Sequence, residues 1–468
     1  MRNKSLFAIF LLFQGMSFGQ GFTLGGRYSI ALCKDSTIRV WGFNGFGVLG
    51  LGHDMEQSSG MQINGLHKVA GMAGGLFHAL YVTSEGTVWS VGRNVNGSLG
   101  DGSNVEKRSP VKVQGIDSIK SCSGGGEHSL FLKNNGRVYS CGLNSSGQLG
   151  DGFNANRNVP VLVNGITDII QVAAGAEYSL LLKSDGTVWA CGHNGYGQFG
   201  NATNTSSKVP VKIPGLENIV QISCGEWHSI FVKNDGTVYS AGRNNYGQLG
   251  IGNTTDNNKV TLIIGLTDII QADAGGIHSV FVKRDGTAWT CGLNSNGNND
   301  GQLGDGTKVD KHSPVQVINS WGNLKVKYAE STREHTLFEL EDGTIWGCGR
   351  NNYGQIGTGK STIANFLTPV RSMPNCQIIS NENDFSNNES RIKVYPNPSS
   401  EKITIDSDLI LQNATLRIFD HLGRNVNEFT GFYGTRYDCM INELFAGIYW
   451  IQFIQNEKHI GTVKFIVQ

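Results

Sequence analysis

The sequence predicts an all-β protein, in which a seven-bladed β-propeller is followed by a second, smaller β domain. Three observations support this prediction. A fifty-residue pattern occurs seven times, each copy carries four short strand signals, and no segment shows helical periodicity over a useful length. Repeats of fixed period form stacked units that bury their apolar faces against their neighbours. Four short strands per unit are typical of one propeller blade.

The repeat runs from a His or Tyr to a glycine-rich loop. A typical copy reads His-Ser, an apolar run, Asp-Gly-Thr-Val, an aromatic residue and Gly-x-Asn-x-x-Gly-Gln-Leu-Gly. The glycine before the Asn, which we call the reference glycine, is Gly42, Gly92, Gly142, Gly192, Gly242, Gly292 and Gly349. The first five intervals are 50 residues and the last is 57. The copies are therefore in register, apart from an insertion before the last one.

The fourth copy shows the four strand signals clearly. They lie at residues 169–172, 179–182, 187–191 and 210–213. An Asp-Gly pair, typical of a tight hairpin turn, separates the second signal from the third. This spacing predicts an antiparallel sheet whose strands follow chain order.

The position of one strand suggests how the ring closes. A Pro-Val strand follows most copies, including residues 369–370 after the last copy, but none precedes the first copy. We therefore expect this final strand to complete the blade begun by residues 28–52. Such a clasp would join the two ends of the propeller and cover their open edges.

The His-Ser…Asp-Gly…Gly-x-Asn-x-x-Gly-Gln-Leu-Gly pattern resembles the regulator of chromosome condensation repeat family. The resemblance covers residues 22–375 and implies a seven-bladed propeller. Kelch repeats have a similar period, but their usual glycine pair and aromatic arrangement are not found in this sequence. Family members that act as exchange factors serve a nuclear GTPase and engage chromatin through a basic tail. This chain has neither such a tail nor a long wedge-like insertion, so we expect no nuclear GTPase partner.

The C-terminal segment has a different strand pattern. Residues 376–391 are polar and unpatterned, as in a linker. Residues 392–468 contain Tyr-Pro-Asn-Pro, a Gly-Arg turn and Ala-Gly-Ile-Tyr in succession. This segment resembles the C-terminal sorting domain of the type IX secretion system. The resemblance implies a small β-sandwich that engages the type IX secretion machinery through residues 392–468 and directs passage across the outer membrane.

The N-terminus has the features of a signal peptide. Arg2 and Lys4 precede an apolar run at residues 6–13, and small residues follow at a cleavage-like site. The run is shorter than the roughly 20 residues that span a bilayer. We therefore expect a signal peptide at residues 1–19, a propeller at residues 20–375 and a location that is secreted or on the cell surface.

The charge composition argues against nucleic acid as a partner. Lys plus Arg and Asp plus Glu number 38 each in 468 residues, so the formal net charge is +0. A balanced charge creates no global field that favours nucleic acid or an anionic membrane. The 64 glycines recur at fixed repeat positions, which indicates turns and close packing rather than disorder.

Cysteines share one repeat column with other apolar residues. Cys141, Cys191, Cys291 and Cys348 precede the reference glycine, where other copies have Val91, Ala241 or Trp41. We interpret this column as an apolar packing position. The odd total of nine cysteines also argues against a disulfide framework, and nothing in the sequence pairs Cys376 with Cys439.

Two further columns could suggest chemistry but are interpreted as structural. The first holds His78, His128, His228, His278 and His335, with Tyr28 and Tyr178 in the other copies. Because the repeat places these rings in separate blades, we expect no metal site, and we expect each ring to satisfy a backbone partner within its own blade. The second column holds Trp89, Trp189, Trp289, Trp346, Tyr139 and Tyr239, which we expect in the core between blades.

No cofactor is predicted. Residues 294–301 are rich in oxygen ligands, but they contain one carboxylate and no closing Glu, so an ordinary polar loop is favoured over a calcium loop. No nucleophile, base and orienting acid form a recognisable catalytic set. We therefore expect a protein that is not an enzyme.

The variable loop residues are the candidate binding site. Strand alternation places the loop before the His column and the Gly-x-Asn-x-x-Gly loop on one face of the propeller. The candidates are Phe46, Phe77, Arg93, Tyr196, Trp227, Arg243, Tyr246, Arg350 and Tyr353. Variable aromatic and arginine side chains on a fixed framework are typical of a recognition surface, although such residues also pack on neighbouring loops.

Three functions remain open for this face. The leading one is a protein-interaction module with an unidentified protein partner. The second is carbohydrate binding, because Tyr196, Trp227, Tyr246 and Tyr353 would offer flat apolar faces to sugar rings. The third is an enzyme acting on polysaccharide, with a site assembled across blades.

Overall fold

A computed structural model shows two compact units. It describes residues 21–295, 301–361, 365–374, 392–395, 402–420, 425–441, 444–455 and 458–467. The units divide between residues 381 and 382, inside the predicted linker. The predicted signal peptide at residues 1–19 and the linker at 376–391 lie outside the described residues, as does most of the loop at 294–301. The predicted domain limits therefore stay a prediction.

The N-terminal unit consists of seven four-stranded antiparallel sheets, one for each copy of the repeat. Blade 1 contains β1 (Phe22–Leu24), β2 (Tyr28–Leu32), β3 (Ile38–Gly42) and β4 (Gln57–Gln62). Blade 2 contains β5 (Val69–Gly74), β6 (His78–Thr83), β7 (Val88–Gly92) and β8 (Lys107–Lys112). Blade 3 contains β9 (Ile119–Gly124), β10 (His128–Lys133), β11 (Val138–Gly142) and β12 (Arg157–Leu162).

The remaining four blades repeat this order. Blade 4 contains β13 (Ile169–Ala174), β14 (Tyr178–Lys183), β15 (Val188–Gly192) and β16 (Ser207–Lys212). Blade 5 contains β17 (Ile219–Cys224), β18 (His228–Lys233), β19 (Val238–Gly242) and β20 (Asn257–Leu262). Blade 6 contains β21 (Ile269–Ala274), β22 (His278–Lys283), β23 (Ala288–Gly292) and β24 (Lys311–Gln316). Blade 7 contains β25 (Val326–Ser331), β26 (His335–Leu340), β27 (Ile345–Gly349) and β28 (Phe366–Arg371).

The all-β, seven-bladed prediction is confirmed. The first strands of successive blades contact one another around the ring, and β1 of blade 1 contacts both β5 and β25. The described residues contain one short 3-10 helix, Gly45–Gly47, in a loop. No helix among the described residues is long and apolar enough to cross a membrane.

The antiparallel meander gives the propeller two different faces. The loops that join first to second strands and third to fourth strands lie on one face, which we call the loop face. The hairpins between second and third strands and the connections between blades lie on the other, which we call the turn face. In a typical hairpin, Gly186 has a φ of +77° and its N–H donates to the Lys183 carbonyl oxygen at 3.0 Å.

The core lies between adjacent blades rather than within one. In a representative cluster, Leu130, Leu132 and Val138 of blade 3 pack against Val163 and Ile169 and their neighbours, which lead into blade 4. The Trp and Tyr column packs against these clusters as predicted, with its rings half-buried. Each blade therefore needs its neighbours to cover its apolar faces.

The predicted clasp is wrong. Strand β28 pairs with β27 of blade 7, and β4 pairs with β3 of blade 1, so each blade consists of consecutive strands. The fourth strand of blade 1 reads Gln-Ser-Ser-Gly-Met-Gln, and like that of blade 5 it lacks the Pro-Val pair that marks most fourth strands. The first copy therefore needs no strand from the end of the propeller.

Blades 1 and 7 are joined by side-by-side contacts instead. The N–H of Leu24 donates to Glu330 Oε2 at 2.7 Å, and Trp41 Nε1 donates to the Gln355 carbonyl oxygen at 2.9 Å. Phe22, Trp41 and Leu337 share a buried cluster across the same junction. The ring thus closes through the kind of contact that joins the other blades.

Glu334 is the main ionic contact at this junction. Its carboxylate accepts from Arg27 Nη2 at 2.9 Å and Arg350 Nη1 at 2.8 Å, and its side chain is 2% exposed. We expect Glu334→Gln to lower the free energy of unfolding by about 2 kcal/mol, because two cations lose a buried partner. Urea unfolding measures this loss. Glu85→Gln, which removes the exposed ion pair with Lys68, is the matched control and should cost less than about 0.5 kcal/mol. Equal losses would contradict a role for Glu334 in closure.

The cysteines follow the packing prediction with one exception. Cys122, Cys141, Cys191, Cys224, Cys291, Cys348 and Cys439 are free thiols. Those of the predicted column are buried, and each Sγ contacts a carbonyl oxygen of the preceding blade, as Cys141 does at Ser98 at 3.4 Å. Cys33, however, is disulfide-bonded, so the argument from an odd count was wrong for this residue. An odd total excludes complete pairing but not a single bond.

The C-terminal unit is a five-stranded antiparallel sheet with a core of its own. It contains β29 (Ile392–Tyr395), β30 (Lys402–Phe419), β31 (Asn425–Met440), β32 (Gly447–Gln455) and β33 (Lys458–Val467). Ile403 and Ile418, near opposite ends of β30, belong to one buried cluster with Phe453. A straight strand would separate these ends by about 50 Å, so the irregular pairing near its middle folds the sheet over on itself. This agrees with the predicted β-sandwich.

Candidate functional site

A buried asparagine holds each long loop of the loop face. These residues are Asn44, Asn94, Asn144, Asn194, Asn244, Asn294 and Asn351, and all are fully buried. In blade 3, Asn144 Nδ2 donates to the carbonyl oxygens of Phe153 and Ala155, both at 3.1 Å. Its Oδ1 accepts from the Leu149 N–H at 3.0 Å. The Gly-x-Asn motif therefore fixes the loop that carries the candidate residues.

The two variable positions of the loop face lie side by side. The N–H of the residue after the reference glycine donates to the carbonyl oxygen of the residue before the His column. This bond joins Arg93 to Phe77 at 2.9 Å and Arg243 to Trp227 at 2.9 Å. Because the bond recurs in the blades, neighbouring loops present their variable side chains together.

Eight of the nine candidates fall into three groups at this face, and all nine are half-buried. The Phe46 cluster contains Phe46, Phe77 and Arg93, with ring centroids 5.5 Å apart. Arg93 Cζ lies 5.4 Å from the Phe46 centroid and 5.7 Å from that of Phe77. Arg93 also forms an ion pair with Glu127. Phe46 has a φ of +66°, a left-handed conformation that is unfavourable for a bulky residue.

The Tyr353 cluster spans the junction between blades 7 and 1. Arg350 Cζ lies 5.4 Å and Arg27 Cζ 5.6 Å from the Tyr353 ring centroid. Phe43 packs edge-on against the same ring at 5.3 Å. Both arginines pair with Glu334, so the two guanidinium groups share one carboxylate.

The Tyr196 cluster lies between blades 4 and 5. Tyr196 and Trp227 pack edge to face with centroids 5.6 Å apart, and His193 lies 5.1 Å from Trp227. Arg243 Cζ lies 5.2 Å from the Tyr196 centroid. This cluster thus combines three rings with one arginine.

Tyr246 stands apart from the three clusters. Its N–H donates to Gln248 Oε1 at 3.0 Å, and within the described part of the chain its ring makes no aromatic or cation–π contact. The clusters also contain residues that were not chosen as candidates, namely Arg27, Phe43, Glu127, His193 and Glu334. All five lie in the variable columns before the His column or after the reference glycine, so the sequence pattern could have identified them.

The histidine column is structural, but its partners are different from those expected. His128 Nε2 lies 3.0 Å from Ser179 Oγ of the next blade, and Ser179 Oγ donates to the Gln148 carbonyl oxygen at 2.8 Å. The serine proton is therefore engaged, so the histidine donates from Nε2. Burial lowers the pKa of His128 to about 3, so its ring is neutral. The pairs are His78–Ser129, His128–Ser179, His228–Ser279, His278–Thr336 and His335–Ser29. The expectation of a backbone partner within the same blade is wrong.

A cavity of about 180 Å³ lies on the ring axis. Gln171, Gln221 and Gln271 line it, and each donates to a backbone carbonyl of the next blade, at 3.1, 2.7 and 2.8 Å. Asp273 and Glu330 also line it. Burial raises the pKa of both carboxyls, and burial together with the charge of Asp273 raises the pKa of Glu330 to about 8. Within the described residues, no three His, Cys, Asp or Glu side chains are grouped to hold a metal ion.

Comparison with known proteins first defines the class. A family model described as the RCC1-like domain matches residues 121–388, more than half of the chain. A model of the regulator of chromosome condensation (RCC1) repeat matches residues 85–132. The chain belongs to the RCC1-like domain family, as the repeat pattern predicted.

A further model, described as the secretion system C-terminal sorting domain, matches residues 393–468. The predicted sorting domain is therefore confirmed. Such a domain implies export to the medium or to the outer surface of the cell, so the protein is a secreted or surface-exposed propeller.

Two curated relatives match short parts of the propeller. The X-linked retinitis pigmentosa GTPase regulator of Canis lupus familiaris is 30% identical over 116 residues, which is 24% of this chain. The ultraviolet-B receptor UVR8 of Arabidopsis thaliana is 37% identical over 65 residues, or 14% of this chain. The matches span 12% and 14% of those relatives.

Solved structures share the fold. Human WBSCR16 superposes with a TM-score of 0.63 at 21% identity, covering 72% of this chain and 94% of its own. Yeast RCC1 (Prp20), solved bound to Kap60, superposes with a TM-score of 0.61 at 22% identity, covering 76% of this chain and 85% of its own. At this identity the similarity establishes the fold alone.

Proposed function

We propose that this chain is a secreted or cell-surface binding protein whose loop face holds a protein partner. The observation that carries the proposal is the grouping of aromatic rings and arginines on one face of a rigid ring. Aromatic residues and arginine dominate the binding energy of protein interfaces, because they bury much area and form directed hydrogen bonds. The Asn-anchored loops support the proposal further, since pre-organised loops lose little entropy on binding.

Relatives with the same fold support this class of function. Yeast RCC1 was solved in complex with Kap60, and Prp20p of Saccharomyces cerevisiae was studied for binding to Gsp1p and histones. These two proteins support only the statement that a protein with this fold can bind another protein. Residues 392–468 would bring the propeller to the type IX secretion machinery, and an exported chain would not meet a nuclear GTPase or nucleic acid.

We propose no enzymatic activity. Histidine is the commonest general base in enzymes, but five histidines of this chain are fully buried and bonded to hydroxyl groups of the next blade. Burial lowers the pKa of His128, His228, His278 and His335 to about 3. These rings serve the contacts between blades rather than a reaction at the loop face.

Carbohydrate binding is the second candidate. Tyr246 is half-buried and makes no ring contact within the described part of the chain, so its ring has a face that a sugar could cover. In contrast, Tyr196 packs against Trp227 and Arg243, and Tyr353 packs against Phe43 and two arginines. The ring faces already used within clusters favour a protein partner over a series of stacked sugars.

The test is a cross-linked pull-down with the full chain. The bait is compared with a Tyr196→Ala, Tyr246→Ala, Tyr353→Ala variant and with Ile264→Ser, which changes an exposed apolar residue (85% exposed) on the turn face. We expect one protein from the medium or cell surface to be recovered by the parent and by Ile264→Ser. Recovery by the triple variant should fall at least about ten-fold, which corresponds to about 1.4 kcal/mol.

Circular dichroism and urea unfolding confirm first that the triple variant is folded. Equal recovery by the triple variant, or loss confined to Ile264→Ser, would place binding elsewhere and contradict the proposal. If no protein is recovered and soluble oligosaccharides compete for binding to the propeller, carbohydrate binding would be favoured instead.

A further inference from the structure

Three arginines occupy the position after the reference glycine, and they differ in their charge balance. Arg93 pairs with Glu127, and Arg350 pairs with Glu334 at 2.8 Å. Arg243 differs from both. Among the residues that the structure describes, its guanidinium forms no ion pair and no hydrogen bond, and its Cζ lies 5.2 Å from the centroid of the Tyr196 ring.

The repeat explains why Arg243 is unpaired. Arg350 takes its carboxylate from the residue before the His column in its own blade, and Arg93 takes its carboxylate from that position in the next blade. For Arg243 the two corresponding positions are Trp227 and Ile277. Both possible carboxylates are thus replaced by apolar side chains, and the other two arginines act as internal controls.

Glu226, whose carboxyl is influenced by the charge of Arg243, does not replace them. Glu226 lies at the mouth of the central cavity, and its Oε1 is 3.4 Å from Arg333 Nε. Burial raises the pKa of Glu226, while the charge of Arg333 and, to a smaller extent, that of Arg243 lowers it. Arg333 is therefore the main cationic partner of Glu226, and the guanidinium N–H groups of Arg243 remain free to bind a ligand.

The surroundings of Arg243 would strengthen an added hydrogen bond. The arginine is half-buried against the Tyr196 ring, and Ile277 is 9% exposed. A guanidinium on an aromatic wall is partly shielded from water and presents parallel donors that match a carboxylate. The arrangement is a cation held in place without an anion.

We propose that Arg243, together with Tyr196 and Trp227, binds an Asp or Glu side chain that stands beside an apolar residue on the protein partner. This inference rests on the proposed function and adds the chemistry of the anchor. The carboxylate binds the fork of Arg243, and the apolar neighbour packs on the Trp227 edge. A protein side chain suits the site better than a sugar acid, because the Tyr196 ring already packs against Trp227 and Arg243 and offers no open stacking surface.

The probe is a set of blocked hexapeptides that contain Leu-Glu or Leu-Gln at their centre, with their binding to the full chain measured by fluorescence anisotropy. We expect the Glu peptides to bind about ten-fold more tightly than the Gln peptides, with a preference that weakens as NaCl rises. Arg243→Gln should abolish the preference, and Arg243→Lys should reduce it. The matched control, Lys68→Gln at an exposed position on the turn face, should leave it unchanged.

Ile277→Glu gives the sharpest test, because it restores the carboxylate that Glu127 supplies to Arg93. This variant keeps Arg243 but should lose the preference for Glu peptides. Unchanged binding to Arg243→Gln, or no preference in the parent, would overturn the proposal. Arg243-dependent binding of oligogalacturonate without binding of peptides would also overturn it in favour of a sugar acid. If Arg243→Gln still captures the protein that the triple tyrosine variant loses, the proposed function stands and the role of Arg243 falls.

Discussion

Between pH 7 and pH 5 we expect the propeller to lose most of its stability. Five histidines are buried and neutral, and burial lowers the pKa of His78 to about 4 and of the other four to about 3. In the unfolded chain these groups titrate near 6.5. The unfolded state therefore binds more protons below that pH. The contribution of the histidines to the stability of the folded state is fully present above about pH 6.5. It is lost as the pH falls towards their pKa values in the folded state.

The free energy of unfolding is expected to depend steeply on pH. Each histidine contributes up to about 1.4 kcal/mol per pH unit, so five contribute up to about 7 kcal/mol per unit. Glu330 acts in the opposite direction, because its pKa is raised to about 8 and its protonation favours the folded state as the pH falls. With this one opposing carboxyl, the net slope is up to about 6 kcal/mol per pH unit. Urea unfolding followed by circular dichroism at several pH values measures this slope.

His228→Tyr provides the control for this prediction. Tyr178 occupies the same column in blade 4 and donates to the His228 carbonyl oxygen, so the column accepts a tyrosine. Gly225 corresponds to Gly175, the residue that leaves space for the Tyr178 ring. The variant should fold and lose about 1.4 kcal/mol per pH unit of slope. A slope equal to that of the parent would show that the histidines do not govern the acid transition.

Local pattern was sufficient to predict the blades. The strands of the fourth copy were predicted at residues 169–172, 179–182, 187–191 and 210–213. They form as Ile169–Ala174, Tyr178–Lys183, Val188–Gly192 and Ser207–Lys212. The agreement arises because the apolar runs and the Asp-Gly turn are all encoded within one copy. Even the ends of the strands differ by only a few residues.

Contacts between copies were harder to predict. The His128 ring bonds to Ser179, which is 51 residues further along the chain, and reading each copy alone could not reveal this pair. The repeat position directly after the histidine column contained a signal for these contacts between blades. Tyr28 faces Ala79, which has no hydroxyl group, and its own hydroxyl donates to the His78 carbonyl oxygen instead. Comparing each ring with the next copy would have indicated a bond between blades.

The same limit applies to the candidate site. Sequence reasoning placed nine residues on one face, but it could not tell that Arg93 and Arg350 are paired while Arg243 is not. That difference depends on which blade supplies the carboxylate, and so on the side-by-side packing of the ring. The predicted clasp was wrong for a related reason, because the outer strand of blade 1 lacks the Pro-Val pair that marks most of the other outer strands.

We expect Asn144→Asp to destabilise the propeller by about 4 kcal/mol at pH 8. Asn144 Nδ2 donates to Asp151 Oδ1 at 3.0 Å and to two backbone carbonyls, and the residue is fully buried. The substitution keeps the shape but places a carboxylate oxygen against three acceptors. Buried groups that lose their hydrogen bonds cost about 1–3 kcal/mol each, and the added charge increases the loss.

The pH dependence separates this effect from a simple loss of packing. Burial and the charge of Asp151 should raise the pKa of the new carboxyl in the folded state above its unfolded value. The variant should therefore recover stability as the pH falls, because protonation restores a donor, which is the opposite sign to the histidines. Urea unfolding of variant and parent at pH 8 and pH 6 should give a smaller difference at pH 6. Asn154→Asp, at an exposed position in the same loop, should cost less than about 1 kcal/mol at both pH values. A pH-independent deficit in Asn144→Asp would mean that its hydrogen bonds do not hold the loop, and the rigid presentation of the loop face would then need another cause.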